Sequence, residues 1–147
     1  MQLTRAADYA VRVMIHLATL PLGTRVKRND LAAAAEVPPH FLSKVLQLLG
    51  RARLILAHRG ITGGFSLSAP AEQVSVLRVV EAIEGPIQLN VCLTGGAGCS
   101  RQGWCPAHAV WLEAQAALTQ VLKNASIAKL AAEARQPRDE KVIYPWN

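Results

Sequence analysis

Between Leu3 and Leu20 the apolar residues Leu3, Ala6, Ala7, Ala10, Val11, Met14, Leu17 and Ala18 recur at helical spacing. Arg5, Asp8, Arg12, His16 and Thr19 form the opposite polar stripe. The pattern predicts one amphipathic helix, stopped by Pro21-Leu22-Gly23. A short alanine-rich helix is expected over Asn29–Glu36, with Leu31 and Val37 marking its buried side. Pro38-Pro39 break that helix and preset the first turn of a third, over Pro39–Ala52, whose inward positions are Phe41, Leu42, Val45, Leu46 and Leu49. His40, Ser43, Lys44 and Gln47 are left facing outward at i, i+3, i+4 and i+7, followed by Arg51.

The period then changes. Leu54-Ile55-Leu56-Ala57-His58 reads as a short strand, Arg59-Gly60-Ile61-Thr62-Gly63-Gly64 as a glycine-rich tip, and the alternating Phe65-Ser66-Leu67-Ser68 as the returning strand. Helical spacing resumes over Ser75–Glu84 and stops at Gly85-Pro86. A long helix runs from Pro106 to about Lys123, with Val110, Leu112, Ala114, Ala117, Leu118, Val121 and Leu122 apolar and few charges on any face. So much apolar surface predicts packing on more than one side, against its own copy in a dimer or within a monomer's core. Ser126 is placed to cap a last helix, Ile127–Ala134, and the tail from Gln136 is polar and expected to be loosely held.

The fold class expected is mainly α with a small β-hairpin. Two helices across a tight turn followed by a hairpin form a winged helix-turn-helix, placed at residues 1–86. A cysteine-bearing loop at 87–105, the long and terminal helices at 106–135 and a tail at 136–147 follow. With 147 residues and a 51% hydrophobic share, the chain is long enough for one domain with a real core. No cleavable leader and no apolar run of membrane-spanning length is present, so a cytoplasmic location and no membrane partner are expected.

Charge sharpens the picture. The first 60 residues carry nine Lys or Arg against three Asp or Glu, whereas the rest carries seven of each sign, so the whole net charge of +6 lies in the helix-turn-helix half. A solvated basic surface accounts for charge alone; the helical pattern points to double-stranded DNA. His40, Ser43, Lys44 and Gln47 are then the candidates for base edges in the major groove. Lys27, Arg28 and Arg51 are candidates for phosphates, and Arg59 and Thr62 for contacts through the wing. A tight hairpin explains the tip's glycines but not its Arg59.

Cys92, Cys99 and Cys105 are the only cysteines, and the last opens Cys105-Pro106-Ala107-His108. An odd number in a reducing compartment argues against a disulfide framework. Six residues separate Cys92 from Cys99 and five separate Cys99 from Cys105, without the close pairs of structural zinc sites. The spacing suits an iron–sulfur cluster wrapped by a loop, 2Fe-2S or 4Fe-4S; zinc, with His108 completing a Cys3His set, and a bare thiol switch are the alternatives. Cys105 precedes the long helix, whose free N–H groups favour a thiolate, and Gly95, Gly96, Gly98 and Gly103 allow close backbone approach. No Cys-x-x-Cys, phosphate-binding glycine loop or nucleophile and base set is present, so no enzyme is expected.

Asp8-Tyr9-Ala10-Val11-Arg12, Arg59-Gly60 through Gly63-Gly64-Phe65, Val80-Glu81-Ala82-Ile83-Glu84-Gly85-Pro86 and the three spaced cysteines ending in Cys105-Pro106-Ala107-His108 together resemble the Rrf-two family of bacterial regulators. The resemblance covers about the first 134 residues. It implies a homodimeric transcription factor whose long helices cross at the dimer interface. It also implies that the cysteines hold an iron–sulfur cluster beside the partner's first helix, sensing iron, redox state or nitric oxide. The fourth ligand differs among relatives: an Asp of that helix in the NsrR type, matching Asp8, and a His after the last Cys in the IscR type, matching His108. The likeness of the Asp-Tyr-Ala-Val-Arg run favours Asp8 of the partner chain, with Arg12 as a nearby cation and His108 as the alternative.

Overall fold

Thr4 opens the first helix by accepting a hydrogen bond from the Ala7 amide at 3.3 Å, and α1 runs Arg5–Ala18. The computed structural model describes residues 3–95, 99–101 and 103–136; the expected loose tail past Gln136 lies outside them. Ala7, Ala10, Val13, Met14 and Leu17 are buried on α1, a stripe in which Val13 rather than Val11 is the fully covered valine. α1 is the central element, packed on α3, α4 and α6. Its C-terminal carbonyls are capped from a distance: the Arg135 guanidinium donates to the oxygens of Ala18 at 3.0 Å and Thr19 at 2.6 Å.

The second and third helices are α2, Arg28–Ala34, and α3, Pro39–Arg51. Both end in the same motif. After α2, the Val37 amide bonds Ala32 O at 2.9 Å and the Glu36 amide bonds Ala33 O at 3.2 Å, with Glu36 at φ +52°. After α3, Leu54 bonds Leu49 at 3.0 Å and Arg53 bonds Gly50 at 3.0 Å, with Arg53 at φ +57°. These are paired Schellman closures built on left-handed residues other than glycine. Leu42, Val45, Leu46 and Leu49 of α3 are buried, as expected. Phe41 is not: it is 37% exposed, at the edge of the α1–α3 seam, with its ring 5.5 Å from Tyr9.

The wing is an antiparallel pair, β1 (Ile55–His58) and β2 (Gly64–Leu67), in register Ile55 with Leu67 through His58 with Gly64. Val26 adds an antiparallel bridge to Phe65, with both N–H to O distances at 2.9 Å. A 3-10 turn, Ala71–Gln73, leads to α4, Val76–Glu84, and another, Val91–Leu93, to α5, Pro106–Asn124. The last helix is α6, Ile127–Ala134. Ser75 and Ser126 cap α4 and α6 and also pair with each other, since Val76 N bonds Ala125 O and Ile127 N bonds Val74 O, each at 2.8 Å. One core unites α1–α4, α6 and the wing, and no residue of α5 belongs to it. Among the described residues no helix is long and apolar enough to cross a membrane.

Candidate nucleic-acid interface and cysteine loop

The Pro38 break and the left-handed Glu36 set α3 at an angle to α2, leaving His40, Ser43, Lys44, Gln47 and Arg51 exposed on α3. His40 stands beside Phe41, ring centroids 4.4 Å apart, so the aromatic that misses the core supports the first side chain of the outward row. Arg51 lies in the last turn of α3, where the helix dipole favours a cation. Lys27 precedes α2 as its cap residue and is exposed. Arg28, first residue of α2, reaches across to α3: its Nη2 donates to the Pro39 carbonyl at 3.2 Å and to Ser43 Oγ. Two residues expected separately at DNA are thereby joined to each other. Nothing in the local sequence signals that link, because a separation of 15 residues closes only when the turn is formed.

Arg59 and Thr62 are exposed on the wing tip. The tip is a tight turn closed by Gly63 N to Gly60 O at 2.9 Å. A side chain at 63 would place its Cβ 2.4 Å from the His58 carbonyl oxygen, and one at 64 would sit 2.6 Å from Val26 O, so both positions demand glycine. The hairpin is further tied by His58 Nε2 to Ser66 Oγ at 2.8 Å, with Ser66 buried.

In the cysteine loop all three thiols are free. Cys92 is buried on the turn Val91–Leu93, and Cys99 and Cys105 are half-buried. Cys105 is the N-cap residue of α5 and its side chain makes no capping bond there, so the thiol is available to a ligand at the helix start. His108, one turn on, has its Nδ1 buried without a hydrogen-bond partner among the described residues. Such an atom costs about 1–3 kcal/mol unless something bonds it. Asp8 is exposed on α1 with its carboxylate 2.9 Å from the Arg12 guanidinium, which also stands 4.0 Å from Glu36. Among the described residues, no three Cys, His, Asp or Glu side chains of one chain are gathered as a metal-ligand set. Gly96 and Gly98 lie outside the described residues. Cysteine sulfur and an imidazole nitrogen without a partner among the described residues are the donor types that suit an iron–sulfur or zinc centre.

A helix pair with an exposed polar row, a wing carrying an arginine, and a basic charge confined to that half define a winged helix-turn-helix DNA-binding protein. The chain belongs to the Rrf2 family: the family model described as an iron-dependent transcriptional regulator matches residues 3–133. A Mycobacterium tuberculosis protein named as an HTH-type transcriptional regulator is 38% identical over 135 residues, covering 91% of this chain and 83% of that one. NsrR of Geobacillus kaustophilus is 31% identical, covering 88% and 89%. In fold, the chain is similar to CymR, the global cysteine regulator of Bacillus subtilis, with a TM-score of 0.73 at 22% identity over 90% of this chain and 98% of that one. The protein is therefore a DNA-binding transcriptional regulator of this family and not an enzyme.

Proposed function

We propose that the protein works as a homodimer whose three cysteines hold an iron–sulfur cluster, and that the state of this centre sets affinity for a partly palindromic DNA operator. The observation that carries the reading is the run of free cysteines ending at the cap of α5, a helix with no buried residue of its own. When bound, a cluster supplies a centre whose charge and ligation change with iron supply, redox state or nitric oxide. Cys92, Cys99 and Cys105 are its thiolate ligands. We favour His108 for the fourth position over Asp8 of the partner chain, the reverse of the order that the resemblance suggests, because its Nδ1 lacks a partner among the described residues while the Asp8 carboxylate is engaged by Arg12. Loss of the thiolate ties frees the start of α5 from the loop, shifting the population of DNA-competent dimers.

On DNA, His40, Ser43, Lys44 and Gln47 read the major groove, Lys27 and Arg51 hold phosphates, Arg28 joins them while bracing α3, and Arg59 and Thr62 act through the wing. Anaerobic purification followed by visible absorption and iron, sulfide and zinc analysis tests the cofactor. A coloured protein with iron and sulfide is expected, and a colourless, zinc-loaded one replaces the cluster with the zinc alternative. In the same assay His108→Ala should alter the spectrum and Asp8→Ala should leave it; the reverse result transfers the fourth position to Asp8. Protein with all three cysteines changed to Ser should bind DNA without response to iron removal or nitric oxide.

A further inference from the structure

The wing tip carries a residue that neither folding nor charge explains. Ile61 is 97% exposed, the most exposed large apolar side chain among the described residues. It occupies the apex of the turn closed by Gly63 N to Gly60 O, a place that Gly, Pro, Asn, Asp and Ser usually fill. An isoleucine there gains nothing from burial in this chain.

Its support is rigid. The backbone leaves no room for a Cβ at Gly63 or Gly64, where it would meet the carbonyl oxygens of His58 and Val26; Phe65 exchanges two hydrogen bonds with Val26, and His58 is bonded to Ser66 across the strands. A β-branched side chain adds stiffness at χ1, so little freedom is lost when it is inserted elsewhere. Arg59, two residues before it on the same exposed tip, supplies the attraction to a narrow electronegative groove.

We infer that Ile61 is an apolar wedge that enters the DNA minor groove beside Arg59 and partly unstacks a flexible pyrimidine–purine step. Apolar side chains used in this way kink the duplex and read deformability instead of hydrogen-bonding edges. Ile61 is thus a specificity-determining residue for steps such as TA and CA. The inference rests on the wing's lying on DNA as proposed above.

The test uses the full-length dimer and a duplex enriched by the wild-type protein from a randomised pool. Ile61→Ala should lose about tenfold in affinity for that duplex, ~1.4 kcal/mol. Its salt dependence should match wild type, because no phosphate contact is removed. Ile61→Met should keep most of the affinity. With 2-aminopurine replacing adenine at each TA or CA step in turn, wild type should brighten one step and Ile61→Ala none. Wild-type affinity in Ile61→Ala, or no brightened step with wild type, overturns the wedge. If Arg59→Ala weakens binding while Ile61→Ala does not, only the wedge falls; if neither variant weakens it, the wing assignment falls as well.

Discussion

Arg28 shows how far residue type carries and where it stops. An arginine in a basic half reads as a phosphate contact, yet its guanidinium bonds the Pro39 carbonyl and Ser43 Oγ on the neighbouring helix. A guanidinium has five donors, so bracing α3 leaves others for DNA. The brace predicts energetic coupling: in urea unfolding, a double-mutant cycle of Arg28→Ala and Ser43→Ala should give an interaction energy of about 0.5 kcal/mol or more. Additive effects would mean that the link contributes nothing in solution. The DNA role is separable, because losing one phosphate contact lowers the salt slope by about one, whereas losing a brace alone does not. The exposed row on α3 was legible because helical period alone decides which side of α3 faces out. Phe41 was misjudged because apolar character does not say how far a neighbouring helix extends over a side chain.

The elements were legible where caps and breaks are chemical. Ser126 announced α6, Pro39 announced α3, and Gly85 ended α4 at φ +80°. The end of α3 carries no such sign, and that of α2 only the prolines beyond it, since Glu36 and Arg53 take the left-handed position that glycine usually holds. What replaces glycine is the C-terminal residue of each motif: Val37 and Leu54 are both buried, and their burial draws the chain through the turn. A left-handed residue with a Cβ costs roughly 1–2 kcal/mol, of which glycine returns about 0.5–1 as greater unfolded-state freedom. Arg53→Gly should therefore raise stability by up to about 1 kcal/mol. Arg53→Val should lower it, because β-branched residues tolerate positive φ worst. Denaturation midpoints in the order Gly, Arg, Val confirm the motif, and a Val variant as stable as wild type contradicts it.

At the scale of the molecule the outlier is α5, about 28 Å long from its 19 residues. Helices in proteins owe most of their stability to packing, and among the described residues this one rests chiefly on α4 and the turn Val91–Leu93, with Leu89 N donating to Gln115 Oε1 at 3.0 Å. Val110, Ala114, Ala117 and Val121 are exposed at i, i+4, i+7 and i+11, a continuous stripe with small residues at its centre. The sequence predicts packing of α5 on more than one side, either in a monomer's core or against a second copy; in the single chain α5 has no buried residue and takes no part in the core. In the proposed dimer two such stripes would meet about a two-fold axis, each residue counted twice, and the alanines would let the backbones approach. Ala117→Glu tests this with little harm to the helix, since Glu is a good helix former. Two carboxylates then meet near the axis and repel, so light scattering after gel filtration should give a monomer. DNA affinity should fall steeply, because a monomer holds one half-site. The wild-type melting temperature should rise with protein concentration, as it does when association is coupled to folding. A wild-type monomer, or an Ala117→Glu dimer of unchanged affinity, would place the interface elsewhere.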